Sequence, residues 1–238
     1  IARFTVPLTL TAIAMPVSQL LESIVAVRLL KGISDNATAL YGVFSGCAVT
    51  IINLPVSITY GLAAASVPQI SPLAEKGDIA GAKAKAYKSL LITLAISVPA
   101  AALLFFAAPL AVKIIFSSLA AEEKSVLVTL VKIMAVNAVT SSLVQTSSAC
   151  LTALGKPVRS TITQWTTSLL RVALTAALIK FTSLSISGAA ISANCAYLVA
   201  ALINFLYIVR EKHDRGKPDE NNADRFRHGR KLLNAKSG

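Results

Sequence analysis

Glu22 is a carboxylate inside a stretch that is otherwise almost wholly apolar, with Gln19 three positions before it and Ser23 beside it. At helical spacing these three share a face. An ionisable group in such a stretch is costly unless it faces a wet cavity or an opposite charge, which makes Glu22 a candidate for function rather than packing. A carboxylate there either pairs with a cation or takes up a proton, and the second case would couple protonation to a conformational cycle. Arg171 is the most deeply placed cation of the chain. It is the candidate counter-ion, or an anchor for anionic groups of a substrate. The competing reading of the pair is a buried structural ion bridge. Arg28 falls on another face near a stretch end, and Lys132 is also close enough to an end for its long stem to reach the interface.

Neutral polar residues repeat the same kind of placement. Asn137, Ser141, Gln145 and Ser148 follow one another in steps of four, four and three, and Gln164, Ser168, Arg171 and Thr175 do so again. Asn53, Ser57 and Tyr60 share a face in one further stretch, and Asn194, Tyr197 and Asn204 in another. Single residues of this kind serve interhelical hydrogen bonds worth roughly 0.6 to 2 kcal/mol. Stripes on four helices instead suggest a solvated cavity, with Gln19, Glu22, Asn53, Asn137, Gln145, Gln164, Arg171 and Asn194 as its candidate lining.

The elements that must position these residues are six apolar stretches: Phe4–Leu30, Ala39–Leu62, Leu90–Ala108, Val126–Leu151, Val158–Phe181 and Ile186–Val209. Each is long enough to cross a bilayer as a helix, which takes about 20 mostly apolar residues. Backbone amides in hydrocarbon must be satisfied within the segment, and long period-two alternation is missing, so helices are expected and a barrel is not. Leu90–Ala108, with only Thr93 and Ser97 as polar side chains, belongs at the lipid-facing periphery. The first stretch also holds Pro7 and Pro16, which remove backbone donors and invite a kink. Bent or broken helices often sit beside a transport path. The fold class is therefore all-α and polytopic: a six-helix transmembrane bundle over residues 1–210, followed by a polar, basic tail over 211–238 expected to be disordered. The chain begins at Ile1 without an initiator Met and reads as part of a longer protein. The first stretch is too long for a signal peptide and lacks a cleavage-like site, so it is expected to be retained.

Composition agrees. Apolar residues make up 55% of the chain and charged residues 14%, with mean hydropathy +0.68, well beyond an ordinary soluble domain. The formal charge of +12 does not point to nucleic acid, because no stacking aromatics accompany the basic residues. They mark topology instead. Arg3, the Lys76–Lys88 group, Lys156, Arg159 and the cations from Arg210 onward lie on one side, against Lys31, Lys113, Lys124 and Lys180 on the other. By the positive-inside rule both ends of the segment are cytoplasmic. Asp78 is placed to cap a Lys-rich helix over Ala80–Ser89 that leads into the third stretch.

No catalytic set is legible. The histidines, His213 and His228, lie in the tail, and Cys47, Cys150 and Cys195 lie in apolar stretches without metal-type spacing. Neither a P-loop nor a carboxylate cluster occurs, so no metal, cofactor or enzymatic activity is expected.

Leu40-Tyr41-Gly42, Asn53-Leu54-Pro55, Ser66-Val67-Pro68-Gln69-Ile70-Ser71 and Gly155-Lys156-Pro157 resemble elements of the stage V sporulation protein B family and related lipid II flippases. These belong to the multidrug/oligosaccharidyl-lipid/polysaccharide exporter superfamily, and the resemblance extends over roughly residues 1–210. It implies one half of a carrier of twelve or more helices in a bacterial inner membrane, the C-terminal lobe, with an N-terminal half of the same carrier as partner. It further implies flipping or export of lipid-linked saccharides for the cell wall, as in sporulation, with membrane lipids or other amphiphiles as the remaining partners. The alternative within the superfamily is a proton- or sodium-coupled multidrug exporter. Peptidoglycan flippases of this group carry cavity cations, whereas the second stretch here holds no Arg or Lys.

Overall fold

A computed structural model describes residues 2–32, 35–182 and 184–210; within the first helix it describes the side chains at positions 9, 12, 13 and from 16 onward. The tail over 211–238 and the Pro7 side chain lie outside the described residues. Each apolar stretch forms one helix: α1 (Ala2–Leu30), α2 (Ala37–Glu75), α3 (Ile79–Ile115), α4 (Ala121–Ala153), α5 (Pro157–Phe181) and α6 (Ser187–Arg210). By length and apolarity α2, α3, α4 and α6 qualify as membrane spans. α1 and α5, at 29 and 25 residues, are also long enough, and they carry the ionisable residues of the interior. The protein is a multi-pass membrane protein.

The helices overrun the bounds expected from apolarity, because their polar ends are satisfied locally. α2 continues past Leu62 to Glu75 through Pro68 and Pro72. Ser66 and Gln69 donate to the carbonyls of Leu62 and Ala65 in their own helix, at 2.9 and 3.1 Å, so the polar exit imposes no break. The stop comes at Gly77, whose φ of +79° suits glycine. Its N–H donates to the Ala74 carbonyl and that of Asp78 to Leu73, a backbone cap for the last turn. Gly155, φ +75°, ends α4 in the same way, and Pro157 then opens α5 at a position where its missing N–H costs nothing.

Asp78 is the N-cap of α3, accepting the Gly81 N–H at 2.9 Å. The Lys-rich turns beyond it are continuous with the third span. A Cβ on Gly81 would run into the Asp78 carboxylate, so Asp78→Ala and Gly81→Val remove one and the same cap. Each is expected to cost about 1 kcal/mol. Melting in detergent should show the double variant no less stable than the worse single one.

α2 departs from regular geometry at Val43–Ala48, a π-helical segment that the apolar pattern does not foretell. Its closing bond runs from the Val49 N–H to the Phe44 carbonyl, five residues back. Such insertions rotate the residues on either side relative to each other and recur at functional sites.

α4 is the hub, packing on α2, α3 and α6, while α5 joins α1 to α6. Apolar clusters close both ends of the bundle, one around Phe44, Val112, Leu127 and Ile179, the other around Ile70, Leu151 and Ile208. Between them a small apolar cluster of Val144, Tyr197 and Ala200 is accompanied by polar contacts: Thr59 donates to Ser142 at 2.9 Å, Thr93 and Thr146 meet at 2.9 Å, and Asn204 donates to Ser147 and Ser148 at 3.0 and 3.1 Å. α3 is the peripheral helix. Thr93 and Ser97 turn inward and are buried, while Leu91, Leu103, Phe106 and Leu110 are exposed. Such a face suits lipid rather than water. At one end of the bundle Lys83 donates to the Val209 carbonyl at 2.7 Å and Arg159 lies 5.5 Å over the Tyr207 ring, so the α2–α3 turn, the start of α5 and the end of α6 share one side.

Candidate functional site

α1 leans on α5 and touches α2 only slightly, whereas α2 lies against α4. The gap between α1 and α2 is a cavity of about 500 Å³, floored by α4 and closed by α5 and α6. Pro16, Gln19, Glu22 and Ser23 reach it from α1, Asn53 and Tyr60 from α2, Asn137, Ser141 and Gln145 from α4, Arg171 from α5 and Tyr197 from α6. α3 contributes nothing to this lining, consistent with its place at the periphery. α1 is helical through both Pro7 and Pro16.

Glu22 is 1% exposed and Arg171 12%. Arg171 Nε–H donates to Glu22 Oε1 at 3.1 Å, and Nη2 approaches Oε2 to 2.6 Å. The second contact lacks hydrogen-bond alignment, so charge rather than a directed bond holds Oε2. Thr175 Oγ1 also donates to Oε1, at 3.2 Å, and shares a proton contact of 2.5 Å with Ser192 Oγ. One carboxylate thereby fastens α1 to α5, and through Thr175 and Ser192 to α6. Ser18 Oγ adds a 3.4 Å bond to the Ser168 carbonyl one turn away. The two readings of the pair therefore coexist: it is a structural bridge, and it also forms the charged wall of the cavity.

The structure brings together six of the eight residues expected to line a cavity: Gln19, Glu22, Asn53, Asn137, Gln145 and Arg171. Gln164 and Asn194 are not in the lining. Gln164 sits two turns of α5 from Arg171, about 10 Å along the axis, and is half-buried there. Asn194 turns to α4 and donates to the Ile133 carbonyl at 2.7 Å. The stripes thus divide by depth. Asn53, Tyr60, Asn137, Ser141, Gln145 and Tyr197 face open space, whereas the side chains of Ser148, Thr175, Asn194 and Asn204 make interhelical bonds.

Tyr41, Phe44 and Ser45 also line the cavity and were not among the expected residues. They flank or lie in the π segment, where regular periodicity fails; Gly42 and Gly46 were the only local hint. Gln145 Nε2 donates to Tyr60 Oη at 2.9 Å, tying α4 to α2 within the lining of the cavity.

No family model matches the sequence, and no curated protein matches it either. Solved structures do. An inward-facing multidrug resistance MATE family transporter of the MOP superfamily superposes with a TM-score of 0.75 at 20% identity, covering 87% of this chain and 46% of its own. A MATE transporter in complex with MaL6 gives 0.76 at 19%, covering 87% and 45%. A MOP superfamily transporter from Pyrococcus furiosus, described by a binding pocket of reversed polarity that suggests a different function, gives 0.73 at 18%, covering 90% and 45%. The bundle therefore has the fold of one half of these transporters, and the chain spans about half the length of the structures it matches. At this identity the likeness is one of fold.

Proposed function

We propose that this chain is one lobe of an alternating-access carrier that flips or exports lipid-linked saccharide precursors, with a second lobe of similar fold completing the cavity. The observation that carries this reading is the cavity at membrane depth, with a buried Glu22–Arg171 pair on one wall and a row of neutral amides and hydroxyls on the others. A polar cavity within a bundle that presents apolar residues outward has no use in a scaffold, but it suits an amphiphile whose head must cross the hydrocarbon while its tail stays in lipid. Arg171 turns Nε and Nη2 to Glu22 and offers phosphate oxygens its remaining N–H groups, and Asn53, Asn137, Ser141 and Gln145 supply partners for hydroxyls. The sequence elements that resemble those of the stage V sporulation protein B family favour a cell-wall precursor as cargo.

A second reading is a cation-coupled multidrug exporter. It draws support from Glu22 and from the multidrug transporters among the matched structures. Those structures include one set apart by the polarity of its pocket, so within this fold the pocket's charge is the better guide. Here the carboxylate is already neutralised by Arg171, which leaves no net negative charge for a cationic drug.

The test reconstitutes the complete carrier in liposomes and follows a fluorescent lipid-linked saccharide and a cationic dye under an imposed proton or sodium gradient. Saccharide translocation without dye movement supports the flippase. Gradient-driven dye efflux alone supports the exporter, and movement of neither defeats both. Orientation is part of the proposal: the Lys76–Lys88 turn and both segment ends face the cytoplasm. Lys85→Cys, in a background without Cys47, Cys150 and Cys195, is expected to label only from that side with an impermeant maleimide. Labelling from outside would invert the topology.

A further inference from the structure

Asn137 and Asn204 are buried in the bundle and Asn194 is half-buried, and two of the three have committed their amide N–H groups to it. Asn194 donates to the Ile133 carbonyl, and Asn204 donates to Ser147 and Ser148. Asn137 differs. It lines the cavity at 5% exposure, yet its Nδ2 has no hydrogen-bond partner among the described residues. The hydroxyls of Thr140 and Ser141 donate to the Asn137 backbone carbonyl at 3.3 and 2.5 Å, and neither oxygen accepts from Nδ2. An unpaired buried amide is unfavourable to folding, so its presence calls for a compensating role. The χ2 torsion of asparagine is broad, so the amide can swing to present its Nδ2 to the cavity.

We propose that Asn137 is a specificity-determining residue that donates to a hydroxyl or carbonyl oxygen of a neutral saccharide unit, seated against Asn137, Ser141, Gln145 and Tyr60. This rests on the flippase reading of the same cavity. The four side chains fit a polyol. Asn137 offers N–H donors; Gln145, having given one N–H to Tyr60, keeps its carbonyl as acceptor; the Tyr60 O–H remains a donor; and Ser141 Oγ accepts. Asn137 to Gln145 spans about 12 Å along α4, room for a sugar ring. Each hydroxyl both donates and accepts, which a mixed wall satisfies and a cationic drug would leave largely unused.

The test compares two probes on the complete carrier: a short-chain prenyl pyrophosphoryl monosaccharide carrying a fluorophore, and the same prenyl pyrophosphate without the sugar. Wild type is expected to prefer the sugar-bearing probe. Asn137→Leu should cut that preference about 3- to 10-fold, the range of one neutral hydrogen bond, while its Tm equals or exceeds that of wild type because an unpaired polar group has gone. Asn204→Leu, which removes committed bonds, should lower the Tm. An unchanged preference in Asn137→Leu overturns the proposal, as does a fall in Tm comparable with that of Asn204→Leu, which would make Asn137 structural. If wild type binds neither probe, the flippase reading itself fails. If it binds both equally, the flippase reading survives and the saccharide site does not.

Discussion

Arg171→Ala is expected to abolish translocation and to destabilise the bundle by about 3–5 kcal/mol, the usual cost of stranding one partner of a buried ion pair. The stranded group would be Glu22, at 1% exposure and left with only the Thr175 hydroxyl. Glu22→Gln should be milder. Its amide oxygen can still accept from Arg171 and Thr175, and the guanidinium, 12% exposed at the cavity wall, can turn toward water. The ordering of Tm is therefore wild type, then Glu22→Gln, then Arg171→Ala. Glu22→Gln combined with Arg171→Met should recover most of the stability, because neither charge is then left unpaired, while remaining inactive. Arg171→Lys keeps the charge but loses the planar fork and should retain stability better than transport. Thermal unfolding in detergent beside transport in liposomes separates these outcomes. Were Arg171→Ala as stable and as active as wild type, the pair would be neither the bridge between α1 and α5 nor the charged wall of a working cavity.

Such a test was legible in the sequence only in part. Glu22 and Arg171 stand out because charges inside apolar stretches are rare, and rarity needs no knowledge of neighbours. That they touch each other, and that Thr175 and Ser192 complete the set, depends on α1 lying against α5, which no local pattern encodes. Helix number follows from apolar run length, but helix ends do not: α2 extends to Glu75 because Ser66 and Gln69 bond within their own turns, and it stops only where Gly77 supplies a positive φ. A helical step of three or four assigns a residue to a face without fixing the depth at which that face meets open space. Tyr197 meets the cavity, whereas Asn204, on the same face two turns further on, meets Ser147 and Ser148 of α4. Tyr41 and Ser45 were missed because periodic reading presumes 3.6 residues per turn, and Val43–Ala48 does not obey it.

The same division between a lipid face and a cavity face yields the second large effect. Lysine introduced at Leu103 of α3 is expected to disfavour membrane insertion by about 2.5–3.5 kcal/mol, the centre-of-helix value for a cation. Leu103 is 69% exposed and about 6 Å from the middle of the apolar run over 90–108, so the ammonium would meet hydrocarbon with no partner nearby. Part of the penalty can be relieved by its stem reaching toward an interface. Lysine at Asn53, which is exposed on the cavity side of α2, should cost a fraction of that, because a polar cavity admits water and offers hydrogen-bond partners. Both substitutions place the same charge within a spanning helix, so composition and hydropathy distinguish them weakly while the faces distinguish them strongly. Membrane-inserted yield and Tm of the two variants, measured side by side, check this. Equal losses would mean that α2 has no wet face and would remove the cavity on which transport depends, whereas a larger loss at Asn53 than at Leu103 would turn the bundle inside out.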